Sequence, residues 1–119
     1  MPRYMFLLFD DEAAWEAMSE AEQGEVFAQH DRFSAAVEAE GATLVGGEAL
    51  QPTSTATVVR AREGADPEVT DGPFVELKEA FGAFYLIEAA DLDQALRLAA
   101  VCPSAGGVEV RPVMEMPEE

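Results

Sequence analysis

Two apolar runs constrain the fold of this 119-residue chain more than any other feature. Residues 4–9 are apolar at consecutive positions, and residues 81–87 carry apolar side chains at both odd and even positions. A strand with one solvent-exposed face alternates apolar and polar residues, whereas a strand covered on both faces does not. We therefore expect both runs to lie in the middle of a sheet.

Helix signals follow the first run. Ser19 and Glu22 fit a capping box, in which each side chain satisfies a backbone donor of the other residue. The helix is predicted to continue to about Glu40 and to end at Gly41, a residue suited to a left-handed C-cap. Its predicted apolar face comprises Val26, Phe27, Phe33, Ala36 and Val37.

The rest of the chain is read from turn residues and β-branched segments. Asp91 is the predicted N-cap of a second helix, which places Leu92, Ala95, Leu96 and Ala99 on its apolar face. The other predicted elements are a turn or short helix at residues 11–18, strands at residues 43–50, 55–62 and 108–113, and a tight turn at residues 71–74.

The order of elements is β-α-β-β-(turn)-β-α-β, which resembles two βαβ halves. This order predicts an α+β fold with a ferredoxin-like antiparallel sheet and two helices on one face. Residues 1–119 form a single predicted domain, in which the acidic tail at residues 114–119 is frayed. Because the helices cover only one apolar face of the sheet, we expect a second copy to cover the other face in a two-fold homodimer.

Composition excludes several classes of function. Seven basic residues against 24 acidic ones give a net charge of −17, which disfavours direct binding to nucleic acid or to anionic lipid. No apolar run approaches the roughly 20 residues of a membrane helix. The single cysteine, Cys102, excludes an internal disulfide and a cysteine-rich zinc site. We expect a cytoplasmic protein without a cofactor or a metal.

His30 and Asp71 are the residues best suited to chemistry. His30, the only histidine, lies four residues after Val26 and three before Phe33, so it faces the sheet. Asp71 precedes Gly72, at a turn that would hold its carboxylate in place. If the two side chains meet, the carboxylate orients the imidazole as a general base. Alternatively, His30 packs in the core and Asp71 caps its own turn, and the residues alone favour this simpler explanation.

The segment Val69-Thr70-Asp71-Gly72-Pro73-Phe74 resembles the DGPF branch of the YCII-related family. The resemblance continues in order through residues 3–8, 47–52, 78–79, 82, 84–88 and 108–113. It implies a ferredoxin-like subunit that dimerises into an α+β barrel. It also implies a His–Asp dyad in a cleft, with Asp71 at the aspartate of the motif and His30 on the first long helix.

The resemblance leaves three functions open. Enzymes of similar fold act on muconolactones, which suggests a small-molecule lyase, isomerase or dehalogenase-like enzyme. In that enzyme His30 takes a proton, Asp71 orients it, and Glu48, Phe74 and Tyr85 line the cleft. Proteins of the branch are often encoded beside alternative sigma factors, which suggests instead a non-catalytic ligand-binding or accessory protein. A structural dimer with a vestigial cleft is the third alternative.

Overall fold

The computed structural model describes residues 1–76 and 78–117 as an α+β protein built on a four-stranded antiparallel sheet. The strands are β1 (Arg3–Asp11), β2 (Thr43–Ala49), β3 (Thr57–Arg60), β4 (Glu68–Asp71), β5 (Glu79–Glu88) and β6 (Gly107–Pro112). The helices are α1 (Glu12–Ala17), α2 (Glu20–Ala39) and α3 (Leu92–Ala100), and Thr53–Thr55 form a 3₁₀ turn.

The main sheet has the strand order β2-β5-β1-β6, with every neighbouring pair antiparallel. The two apolar runs form the central strands β5 and β1, as the sequence predicts. This order, with α2 and α3 in the two crossovers, is consistent with a ferredoxin-like fold. The central pairing places Phe6 directly opposite Tyr85, so these two side chains lie on the same face of the sheet.

The hydrophobic core lies between this face and the two long helices. Tyr4, Phe6 and Leu8 alternate along β1 and are all buried. Phe33 and Val37 of α2 belong to the same buried cluster. The cluster also contains Ala42, Ile87, Ala89, Ala95, Leu98 and Cys102.

The opposite face of the sheet is apolar but only partly covered. Met5 and Leu7 of β1 lie directly opposite Leu86 and Phe84 of β5. All four side chains are partly exposed, whereas their neighbours along β1 are buried. These four residues define what we call the bare face.

The N-terminus of α2 has the predicted capping box. The backbone N–H of Glu22 donates to Ser19 Oγ at 3.1 Å, and the backbone N–H of Ser19 donates to Glu22 Oε1 at 3.1 Å. These hydrogen bonds lower the pKa of the Glu22 carboxyl. The other end is also as predicted, because Gly41 follows the helix at φ +78°.

The apolar face predicted for α2 is wrong at Phe27, which is exposed. Its ring packs edge-on against Trp15 of α1, with ring centroids 5.5 Å apart. Gln23 Nε2 also donates to the Trp15 carbonyl at 3.0 Å. The short helix α1 therefore takes Phe27 away from the sheet and joins it to the α1–α2 corner.

The apolar face predicted for α3 is wrong in part as well, since Leu92 and Leu96 are exposed. A buried amide, Gln94, holds this helix against the end of α2. Gln94 Nε2 donates to the Glu40 carbonyl at 2.7 Å, and Gln94 Oε1 accepts from the Ala90 N–H at 2.7 Å. Burial of a polar side chain costs free energy unless both its donor and its acceptor are satisfied, as they are here.

The segment between β2 and β5 differs most from the prediction. The strand expected at residues 55–62 is confined to β3, which pairs with β4 in a separate two-stranded hairpin and not with the main sheet. The turn expected at residues 71–74 begins one residue later. Asp71 is the last residue of β4, and Gly72 follows at φ +95°, a conformation that favours glycine.

After β6, residues 114–117 are exposed and have no regular secondary structure. The last two residues of the predicted frayed tail lie outside the described part of the chain. Within residues 1–76 and 78–117, no helix is both long and apolar enough to cross a membrane.

Candidate active site

The imidazole of His30 and the phenol of Tyr85 form the candidate site. His30 lies on the face of α2 that rests on the sheet, and Tyr85 lies on the helix-covered face of β5. His30 Nδ1 and Tyr85 Oη are 2.6 Å apart, a short hydrogen bond between two half-buried side chains. The ring centroids are 5.8 Å apart, so the two groups form one unit.

Tyr85 is held in place by residues on both sides of its ring. The Phe33 ring packs against it with a centroid distance of 5.0 Å. On the neighbouring strand, Gly47 lies directly opposite Tyr85. A Cβ atom at Gly47 would lie 2.6 Å from Tyr85 Cδ1 and 2.6 Å from the Phe84 carbonyl oxygen. Only glycine leaves room for the phenol ring at this position.

Burial keeps both members of the pair neutral near pH 7. It lowers the pKa of His30, although Asp10 and Asp31 oppose this effect by favouring the imidazolium. Burial also raises the pKa of Tyr85 to about 12, with further contributions from Cys102 and Asp31. The site therefore offers a neutral imidazole, which can accept a proton, beside a protonated phenol.

The hydrogen bond has two tautomeric forms with different chemistry. If Tyr85 donates to Nδ1, the imidazole proton is on Nε2 and both groups satisfy each other. If His30 Nδ1–H donates to the phenol oxygen, Nε2 keeps its lone pair and the phenol proton is free for another acceptor. The second form combines a general base with a hydrogen-bond donor.

Cys102 lies near this pair but does not supply a nucleophile. Its thiol is buried, and burial together with the charge of Asp10 raises its pKa to about 12. Only the thiolate is an effective nucleophile. Cys102 is therefore a small apolar residue of the core, as its position before Pro103 suggests.

Asp71 lies elsewhere in the subunit, at the open end of the β3–β4 hairpin, away from the turn that joins the two strands. It pairs with Thr57, and the following Gly72 N–H donates to the Ala56 carbonyl at 2.8 Å. Its exposed carboxylate has no hydrogen bond within the described part of the chain, and the described contacts of His30 do not include it. The predicted His30–Asp71 dyad is not assembled within one subunit, and it stays a prediction.

Of the three residues predicted to line the cleft, Tyr85 alone contacts His30. Glu48 lies directly opposite Phe84, so its side chain is on the bare face. Phe74 is exposed, and the Arg60 guanidinium lies 5.0 Å from its ring centroid. Sequence reasoning missed the role of Gly47. A glycine inside a strand was the available signal, but it does not say which side chain lies opposite.

One shallow cleft lies beside Phe33, and another lies at the turn after Asp71. The first, of about 360 Å³, lies between α2 and the turn that follows α3. It is lined by Gln29, Arg32, Phe33, Ala36, Val101 and Pro103. The second, of about 380 Å³, is formed by Thr53, Ser54, Gly72, Pro73, Val75 and Glu76. Phe33 connects the first cleft to the pair, since its ring also packs on Tyr85.

Metal binding has no geometric support in residues 1–76 and 78–117. No group of three or more histidine, cysteine, aspartate or glutamate side chains is close enough to hold an ion. The groups that the candidate site presents for chemistry are the His30 imidazole and the Tyr85 phenol.

Comparison with known proteins places this architecture in a family. Residues 2–117 match the sequence profile of the YCII-related domain. The chain belongs to the YCII-related family. It is similar to an uncharacterized protein of Rhizobium meliloti (strain 1021), with 38% identity over 117 residues that cover 92% of this chain and 90% of the relative.

Replacing Gly47 with alanine tests the seating of Tyr85 in this YCII-related domain. The added methyl group would meet both the phenol ring and backbone, so we expect the free energy of unfolding to fall by about 1–3 kcal/mol. Chemical denaturation measures this loss, and the imidazole ¹⁵N resonances of His30 should shift. Gly46→Ala is the matched control, because a Cβ there meets no atom within 4 Å. Equal losses for the two variants would contradict the assigned contact.

The pKa of His30 gives a second prediction, which NMR can measure without ambiguity because the chain has one histidine. We expect a midpoint below 6.5 in the folded protein, and near 6.5 for the same residue in concentrated urea. Between these two values the unfolded chain binds more protons. The contribution of His30 to stability is therefore complete above pH 6.5 and falls as the pH is lowered through this window. A folded midpoint at or above the unfolded one would refute the burial argument.

Proposed function

We propose that the protein is a small-molecule enzyme of the lyase or isomerase type, in which His30 removes a proton from carbon. The observation that carries this proposal is the 2.6 Å contact between His30 Nδ1 and Tyr85 Oη, both half-buried. In the tautomer with Nδ1–H donating to Tyr85, Nε2 accepts the substrate proton. The phenol proton then stabilises the negative charge that develops on a neighbouring carbonyl oxygen.

The charge around the site favours a neutral or cationic substrate. Asp10 and Asp31 are the carboxylates whose fields act on His30. Arg32 lines the adjacent cleft, but its guanidinium is paired with Glu25 at 2.8 Å. The net charge of −17 adds a long-range repulsion of anions. A neutral lactone or cyclic ketone with an acidic C–H bond fits this environment.

Non-catalytic ligand binding is the second candidate, and one observation favours it. His30 is paired with a neutral phenol within its own subunit, and a phenol increases the basicity of an imidazole less than a carboxylate does. A protein that binds a ligand through this pair, and passes the signal to a partner such as an alternative sigma factor, needs no strong base. We retain the DGPF branch as a finer assignment, supported by the motif at residues 71–74.

Hydrogen–deuterium exchange on carbon separates the two candidates. A neutral unsaturated five-membered lactone is incubated with the protein in D₂O, and NMR follows deuterium incorporation at the acidic carbon. We expect His30→Gln to slow the exchange at least about 100-fold and Tyr85→Phe to slow it less. Glu38→Gln, on the exposed side of α2, is the control and should match the wild type. Lactone-dependent shifts of the His30 resonances without exchange would support the binding role, and exchange unchanged in His30→Gln would end the catalytic one.

We further propose that the active form is a two-fold homodimer closed through the bare face. Met5, Leu7, Phe84 and Leu86 form a contiguous apolar patch that a second copy can cover. The edge of the patch carries both signs of charge. Its flanking residues include Glu48 opposite Phe84, Glu109 opposite Leu7 and Arg111 opposite Met5.

Sedimentation of Leu7→Glu tests this interface. A carboxylate in the middle of the bare face would be buried without a partner in the dimer, so we expect the variant to sediment as a monomer at concentrations where the wild type is a dimer. Leu96→Glu places the same charge on the exposed side of α3 and should leave the dimer intact. A wild-type monomer at micromolar concentration would rule out the interface.

A further inference from the structure

The hairpin between β2 and β5 packs on its own subunit through one face only, where Val58 is 8% exposed. We call residues 56–76 the arm, which contains β3, β4 and the turn after Asp71. In the described part of the chain, β3 and β4 pair with each other and make no extensive contact with the main sheet or with a helix. An isolated two-stranded hairpin is at best marginally stable in water. The other face, which carries Val59 and Val69, therefore needs a surface that its own subunit does not supply.

The shape of the subunit indicates how the arm is oriented relative to the main sheet. The Cα radius of gyration is 16.8 Å, whereas a compact chain of this length has about 13.5 Å. The principal extents are 51 × 49 × 17 Å, so the molecule is a thin plate. A thickness of 17 Å accommodates the sheet and one helix layer. The arm therefore extends in the plane of the sheet and folds over neither face.

The arm exposes large apolar side chains to solvent. Val59 and Val69 are a directly opposed pair and are 59% and 62% exposed. Phe74 and Val75 follow at 71% and 63% exposed. Exposed apolar groups of this size, on the strands of the hairpin and just after its last strand, are typical of a contact surface.

We propose that the arm docks on a second copy of this chain through the face that carries Val59 and Val69. The inference rests on the homodimer proposed above, and adds to it a second contact formed by exchange of arms between subunits. A two-fold axis gives each arm the same surface on its partner, so both hairpins are covered by one association.

The exposed surface area of the subunit supports a second copy as the occupant. The subunit exposes 8351 Å², whereas a compact protein of its mass exposes about 6,300 Å². This surplus of about 2,000 Å² per subunit is surface that a second copy could remove from water. Obligate homodimers bury about 2,000–5,000 Å² in total, so the surplus of two subunits lies within that range.

The exchange places Asp71 at the interface. Thr57 and Asp71 are paired two residues along from Val59 and Val69, so all four side chains lie on the same face of the hairpin. The face that meets the partner therefore presents the Asp71 carboxylate to that partner. In this arrangement Asp71 of the sequence motif contacts the partner subunit. This explains why it does not lie beside His30 of its own subunit.

Charged substitutions on the two faces of the hairpin test the proposal. In Val59→Glu and Val69→Glu the new carboxylates face solvent within one subunit, so the fold should be retained. In the dimer they would be buried without partners, and we expect the dissociation constant to rise at least about 100-fold in sedimentation measurements. Thr70→Glu, on the opposite face of β4, is the matched control and should leave the constant unchanged.

Hydrogen exchange of the arm amides distinguishes this proposal from the bare-face interface. We expect amides of residues 57–60 and 68–71 to exchange slowly in the wild-type dimer and rapidly in monomeric Leu7→Glu. If Leu7→Glu dissociates the dimer while Val59→Glu and Val69→Glu do not, the bare-face interface stands and arm exchange is wrong. Arm amides that remain protected in a monomer would show that the arm folds back on its own subunit. Unprotected amides in a wild-type dimer would show that the second copy does not cover the arm.

Discussion

The apolar side chains on both faces of β1 and β5 are the constraint on which the rest of the structure depends. Every second residue of β1, from Tyr4 to Leu8, is sealed beneath the helices. The residues between them have the same apolar character but no helix above them. Burial of apolar surface contributes roughly 25 cal/mol per Å², so the chain gains stability from whichever surface covers that face. The same physical effect that drives the core together therefore favours covering the bare face as well.

The candidate site depends on the same strands but on a different kind of packing. The phenol of Tyr85 is fixed by an aromatic ring on one side and by a missing Cβ on the neighbouring strand. This packing fixes the position of Tyr85 Oη, which forms the hydrogen bond with His30, and α2 fixes the position of the imidazole. Burial itself favours the neutral imidazole and the protonated phenol of this pair.

Sequence reasoning predicts those parts of this fold that local chemistry decides. The capping box at Ser19, the glycine stop at Gly41 and the central places of the two apolar runs all depend on near neighbours or on burial of a whole strand. Helical spacing alone places Phe27 in the core, because it does not show that Trp15 of α1 packs against that ring. The sequence predicts a strand over residues 55–62, which contains β3, but not its partner β4. That strand has only four residues, all exposed, so its pairing depends on how the chain reverses between the two strands. The candidate site is predicted only in part. The spacing of apolar residues around His30 predicts that its side chain faces the sheet. Its partner Tyr85 is set by the register of the strands, which the local sequence does not determine.

The buried amide of Gln94 couples the two halves of the chain. Its donor and its acceptor are satisfied by groups of different crossovers, the Glu40 carbonyl at the end of α2 and the Ala90 N–H before α3, respectively. If either half opened alone, that amide and its backbone partners would lose their hydrogen bonds before gaining full access to water. Partial opening is therefore penalised at the junction, and the two βαβ halves should unfold as a single cooperative unit.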